Sequence, residues 1–88
     1  MELKDLKNKL KQCQPYFIEK ELLPCLYFSE EQYDKEYWTF VYVFIRRLSD
    51  TATSIRLGYT SANIHYIIKN ILKANKYIVE KFITSQSI

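Results

Sequence analysis

The sequence predicts an all-α fold, a small helical bundle of four to five helices, on three observations. Its 88 residues include one Gly and two Pro, too few for the tight turns of a many-stranded β fold. Apolar residues make up 48% and aromatics 16%, enough to fill one core and to argue against disorder. Apolar side chains recur at three- and four-residue spacing along most of the chain, which is the period of a helix with one buried face. A chain this short forms a single domain, since domains run to roughly 100 to 150 residues at the mode. Within it the spacing divides an N-terminal helical extension, 1–28, a central helical core, 29–74, and a C-terminal helix for packing or dimerisation, 75–88.

The first element is carried by Leu3, Leu6 and Leu10, with Lys4, Lys7, Lys9 and Lys11 between them. It reads as an amphipathic helix with a solvated lysine face, ending before Pro15. Pro15 then suits the first turn of a second short helix bearing Ile18, Leu22 and Leu23, which Pro24 closes. Ser29, followed by Glu30, Glu31 and Gln32, predicts a capping box, with Phe28 and Tyr33 placed as a hydrophobic staple. From about Glu30 to Leu48 one face collects Tyr33, Tyr37, Phe40, Val41, Phe44 and Leu48, and Arg46 and Arg47 fall near the C-terminal end, where positive charge suits the helix dipole. The stretch Tyr37 to Ile45, YWTFVYVFI, also has the aromatic and β-branched composition of a strand. The cap and the absence of Gly or Pro nearby favour helix, nearly all of it buried.

Leu48 to Lys73, LSDTATSIRLGYTSANIHYIIKNILK, has the pattern of a helix-turn-helix. That motif needs two short helices, a turn that usually contains Gly, and a second helix with one face packed and the other free for a DNA groove. Ser49 caps a first helix running to Leu57, whose inward positions are Ala52 or Thr53, Ile55 or Ser54, and Leu57. Gly58 supplies the left-handed turn, Tyr59 is its buried residue, and Thr60 or Ser61 caps the second helix. Ile64, Ile67, Ile68 and Ile71 form the packed stripe of that helix. Ala62, Asn63, Tyr66 and Lys69 then point outward as base-reading residues, flanked by His65, Asn70 and Lys73. Asn pairs bidentately with adenine, Lys reaches guanine, and Ala62 meets a thymine methyl. Arg46, Arg47, Arg56, Thr60, Ser61, Lys73 and Lys76 are the expected phosphate contacts.

The run LSDTATSIRLGYTSANI resembles the helix-turn-helix of the DNA-reading end domain of bacterial sigma factors and their small phage relatives, of the type L-S-x-x-E-I-A-x-x-L-G-Y-S-x-x-x-V. Phe40 to Thr60, FVYVFIRRLSDTATSIRLGYT, is also similar without gaps to the N-terminal domain of phage terminase small subunits, which read F-V-x-x-Y-L followed by A-T-x-A-A-I-x-A-G-Y-S. The likeness covers less than half of the chain. Either family implies a helical domain that binds DNA through the helix Thr60 to about Lys73. The chain departs from both at Thr53 and Ser54, where the families favour small apolar residues, and it has little room for a terminase oligomerisation region.

Charge is consistent with that reading once it is divided along the chain. The formal net charge is +3, too small alone to mark a nucleic-acid protein. Yet Met1 to Lys35 holds six Lys against seven acids, whereas Arg46 to Lys81 holds seven basic residues against two acids. No run approaches the roughly 20 apolar residues of a membrane span, and the charged opening is unlike a secretory signal, so no membrane partner and a cytoplasmic location are expected. Cys13 and Cys25 lack metal-ligand spacing and read as reduced thiols. No cofactor, metal or catalytic residue is expected. His65 has no nucleophile or carboxylate at useful spacing, and Glu30, Glu31, Asp34 and Glu36 suit the first turns of a helix.

Beyond Gly58, two readings stand side by side. Ile64, Ile68, Ile71, Asn75, Ile78 and Phe82 fall on alternating spacing with one Asn in the seam, as in a paired helix of a homodimer. Alternatively Asn75 is the N-cap of a separate last helix packed on its own chain. The expected function is sequence-specific binding of double-stranded DNA, by a transcriptional regulator or a DNA-handling factor of a phage or mobile element. The alternatives are a protein-interaction module, such as a phage inhibitor docking on a host protein through Trp38, Phe40 and Tyr42, and a single-stranded nucleic-acid binder that stacks bases on tyrosines.

Overall fold

Each apolar stripe of the sequence becomes one wall of a common core. The computed structural model describes residues 1–86, which form six α-helices and no strand: α1 (Leu3–Gln12), α2 (Pro15–Phe17), α3 (Tyr33–Phe40), α4 (Asp50–Leu57), α5 (Ser61–Ala74) and α6 (Lys76–Ser85). Ser87 and Ile88, the end of the expected 75–88 helix, lie outside the described residues. Leu6 and Leu10 of α1 join Ile18, Phe40, Phe44, the isoleucines of α5, and Val79 and Phe82 of α6 in one buried cluster. The Cα radius of gyration is 12.1 Å, about the 12 Å of a single compact body of this length. Residues 1–28 are therefore part of the body and not an appendage to it.

Two stretches widen into π turns. Pro15 opens α2 at its first position, as expected, but the helix continues as a π turn, Ile18–Leu22, and then a 3-10 turn, Leu23–Cys25. Pro24 lies within that last turn and the helix stops after it. The second π turn, Val41–Ile45, extends α3 and packs against the first. Adjacent residues of an α-helix point about 100° apart, so few consecutive side chains face one neighbour. Here Phe40, Val41, Val43 and Phe44 are all buried, with other elements packed on more than one side of the segment. YWTFVYVFI is thus helical and forms the central element, although its composition also suits a strand.

The start of that element corrects one expectation. Ser29 precedes a 3-10 turn, Glu30–Gln32, and its side chain caps nothing. Its backbone N–H instead donates to the Glu36 carboxylate at 2.8 Å, so the reach-back comes from Glu36 and not from Gln32. The staple does form: the Phe28 ring meets Tyr33 and Tyr37 edge-on, at 5.6 and 5.8 Å between centroids.

The far end stops at Ile45, short of the expected Leu48, because Arg47 turns left-handed with φ 59°. Its guanidinium donates to the backbone carbonyls of Lys11 and Cys13, satisfying acceptors that the end of α1 leaves without helical partners. Cys13 lies beside this contact. Burial raises its thiol above the ordinary value, although the nearby Arg47 charge acts in the opposite direction.

At the other end of the chain, α5 and α6 are separate helices divided at Asn75. Asn75 is only 2% exposed, yet its side chain does not cap α6. Its Nδ2 donates to the carbonyls of Tyr27 and Ile71, at 2.8 and 2.9 Å, and its Oδ1 accepts from the Tyr27 N–H at 2.7 Å. The seam that suggested a homodimer is largely covered from within the same chain: Ile64, Ile68, Ile71, Asn75 and Phe82 are buried, and Ile78 alone of that set is exposed.

Candidate nucleic-acid interface

The segment from Ser49 to Ala74 is built by local signals. The Ser49 hydroxyl accepts from the Ala52 N–H at 3.1 Å and starts α4. Gly58, at φ 78°, ends it; its N–H and that of Tyr59 both donate to the Ser54 carbonyl, at 2.8 and 3.0 Å. A three-residue turn, Gly58 to Thr60, follows, and Thr60 Oγ1 accepts from the Asn63 N–H at 3.1 Å to open α5. Tyr59 is half-buried against the core, with the Lys35 ammonium 5.0 Å from its ring centre.

Small side chains set how closely the two helices approach. Of the alternatives for the inward face of α4, Thr53 and Ser54 are buried and Leu57 is half-buried, while Ile55 turns outward and is 78% exposed. Ser54 Oγ donates to the Thr51 carbonyl at 2.7 Å and lies 3.4 Å from Ser61 Oγ at the start of α5. The Thr53 hydroxyl is buried without a hydrogen-bond partner among the described residues. The two residues that depart from the small apolar pattern are therefore unequal, one satisfied and one not.

Along α5, Ile64, Ile67, Ile68, Ile71 and Leu72 are all buried. Each such side chain contributes about 1.5 to 3 kcal/mol relative to exposure, so the helix cannot roll to present another face. The outward stripe is thereby fixed: Ala62, Tyr66 and Lys69 are exposed, Tyr66 by 61%, and Asn63 is half-buried. His65 and Lys73 flank it in the open, Asn70 is half-buried, and Lys76 is exposed at the start of α6. Thr60 and Ser61 lie exposed at the N-terminus of α5, where backbone N–H groups favour an anion.

The three arginines expected on phosphates are placed differently from one another. Arg46 and Arg56, both exposed, set their guanidinium carbons 5.2 and 5.7 Å from the centre of the Tyr42 ring. Arg47 is engaged with α1 and is a structural anchor in this fold. On the α3 side, Trp38 is 42% exposed and lies 6.0 Å from Tyr42 between ring centres. Phe40, named with them as an anchor for a partner, is 0% exposed and belongs to the core.

One feature of the surface escaped the sequence. α1 packs beside α5, and its lysine face borders a groove of about 430 Å³ whose opposite wall holds His65 and Lys69. Lys4, Lys7 and Lys11 line the α1 side. Lys7 pairs with Asp50 at 3.4 Å, whereas Lys4, Lys11 and Lys69 have no carboxylate partner among the described residues. The signal was the recurrence of lysine at positions 4, 7 and 11, one face of a helix; which element that face would meet is not encoded nearby. No group of His, Cys, Asp and Glu suited to a metal occurs among the described residues, and no helix there is long and apolar enough to cross a membrane. Compared with protein families, curated proteins and solved structures, the chain matches none.

Proposed function

We propose that this chain binds double-stranded DNA in a sequence-dependent manner through α5, as a transcriptional regulator or a DNA-handling factor of a phage or mobile element. One observation carries the reading. A capped pair of helices joined by a three-residue turn, with Gly58 left-handed, holds α5 by its isoleucine stripe and leaves Ala62, Tyr66 and Lys69 exposed with Asn63 half-buried beside them. Those residue types match base edges in the major groove. Arg46, Arg56, Lys73 and Lys76 supply phosphate contacts around them, and Lys4 and Lys11 add to the positive field on one side of α5.

The test is a titration of the purified chain with random duplex at low and high salt, followed by selection of a preferred duplex. Asn63→Ala with Lys69→Ala is expected to abolish preference among duplexes and to leave the melting temperature nearly unchanged. Arg46→Ala is expected to weaken binding to all sequences and to reduce the salt slope by about 1. Absence of duplex binding at low salt overturns the proposal, because phosphate contacts persist there without the correct sequence.

A second reading has its own support. Trp38, Tyr42, Arg46 and Arg56 cluster on one face, and exposed Ile55 adjoins Arg56 in the sequence. Trp, Tyr and Arg are the residue types that dominate protein interfaces. In that case the chain docks on a protein, and Trp38→Ala removes partner binding while Lys69→Ala does not.

A further inference from the structure

The geometry points to a binding site for an unpaired nucleotide of a single-stranded nucleic acid, on the face formed by Trp38, Tyr42, Arg46 and Arg56. Arg46 follows the π turn Val41–Ile45 and Arg56 lies in the last turn of α4, with the left-handed residue Arg47 between them in the chain. Both guanidiniums nevertheless converge on the Tyr42 ring, 5.2 and 5.7 Å from its centre. Neither has a carboxylate partner among the described residues. Two like charges drawn to one ring repel each other, and an anion held by both relieves that repulsion.

Trp38 supplies the other half of the site. Its indole lies 6.0 Å from Tyr42 between ring centres, tilted by 33°, and meets Tyr37 edge-on at 5.1 Å, so two neighbours fix its orientation. It is still 42% exposed. The arginines already engage the Tyr42 ring, which leaves the indole as the surface on which another planar ring stacks. Aromatic side chains beside cations hold single strands in this way, bases on the rings and phosphates on the charges.

Hydrogen-bonding polarity narrows the occupant further. Arg46, Arg56 and Trp38 offer donors and no acceptors, and phosphate oxygens are acceptors only. A polypeptide brings backbone N–H groups along with its carbonyls, and these three side chains would leave those donors unpaired. A base within a duplex has its faces covered by its neighbours in the stack, so only an unpaired base reaches the indole. Asp34, exposed and one helical turn before Trp38, repels phosphate, so the strand runs from the indole towards the arginines. The site is independent of duplex binding by α5 and occupies the face that the second reading gives to a protein.

Trp38 is the only tryptophan of the chain, so its fluorescence reports on this face. The whole chain is titrated at low salt with single-stranded oligothymidylate, with the same strand annealed to oligoadenylate, with poly-L-glutamate and with inorganic phosphate. Saturable quenching is expected with the single strand, at least about tenfold tighter than with the duplex, and none with polyglutamate or phosphate. Arg46→Gln combined with Arg56→Gln, both at exposed positions, is expected to weaken single-strand binding at least about tenfold with the melting temperature nearly unchanged. Trp38→Ala, followed by the anisotropy of a labelled strand, is expected to weaken single-strand binding at least about fivefold and to leave affinity for duplex unchanged. Equal quenching by duplex assigns the face to duplex contacts, and equal quenching by polyglutamate assigns it to an acidic protein; either result overturns the inference. So does a single strand that leaves Trp38 unquenched, or binding that either variant leaves intact.

Discussion

The chain passes through a left-handed residue on either side of α4, and the two joints are built in opposite ways. After the helix, Gly58 adopts φ 78°, a conformation glycine reaches without steric cost. A side chain added there would meet nothing within 4 Å, so the turn is required by the backbone alone. Before the helix, Arg47 adopts φ 59°, where an L-residue pays roughly 1 to 2 kcal/mol. What holds it there is remote: the carbonyls of Lys11 and Cys13, 36 and 34 residues away. One joint is written where it occurs; the other exists only when α1 is in place.

Substitutions at the two joints should separate these cases. Arg47→Ala retains the left-handed cost and removes both bonds to α1, and bonds from a charged donor contribute about 1.5 to 3 kcal/mol when partly buried. A loss of about 2 to 3 kcal/mol in chemical denaturation is expected, with duplex binding by the folded fraction unchanged. A normal melting temperature with weakened DNA binding would instead return Arg47 to the phosphate contacts.

Gly58→Ala is expected to cost less, about 1 to 2 kcal/mol, since only the backbone conformation is at issue. A larger loss would mean that the turn depends on contacts beyond its own dihedral angles. The smallest effect is expected inside the helix that the joints bracket. Thr53→Val keeps the shape of the side chain and removes a buried hydroxyl without a partner, so the midpoint of denaturation should rise by about 0.5 to 1 kcal/mol equivalent. Destabilisation there would show that the hydroxyl has a partner in solution.

The same contrast explains what could be read from the sequence. Ser49, Gly58 and Thr60 were legible because caps and left-handed turns are satisfied within three or four residues. The isoleucine stripe of α5 was legible because its period is local, and the outward positions of Ala62, Tyr66 and Lys69 followed from it. Asn63 proved half-buried, a detail of packing that the period does not carry. Ser29 carried a capping signal that the fold does not use, because Glu36 reaches the same N–H from one helical turn further on. Ile55 and Ser54 were equal candidates for the inward face of α4, and only the approach of Ser61 decides for the smaller residue. The bonds of Arg47 to α1, the burial of Phe40 among the named partner anchors, and the groove beside the α1 lysines were not legible for one reason: their surroundings come from other parts of the chain.

Asn75 and Tyr27 lie 48 residues apart, and the amide of one accepts from and donates to the backbone of the other as a neighbouring peptide would. The Tyr27 N–H and C=O therefore find their partners only when Asn75 is brought beside them, so the bend between α5 and α6 and the segment that follows the 3-10 turn Leu23–Cys25 are fixed by each other and not by their own neighbours in the chain.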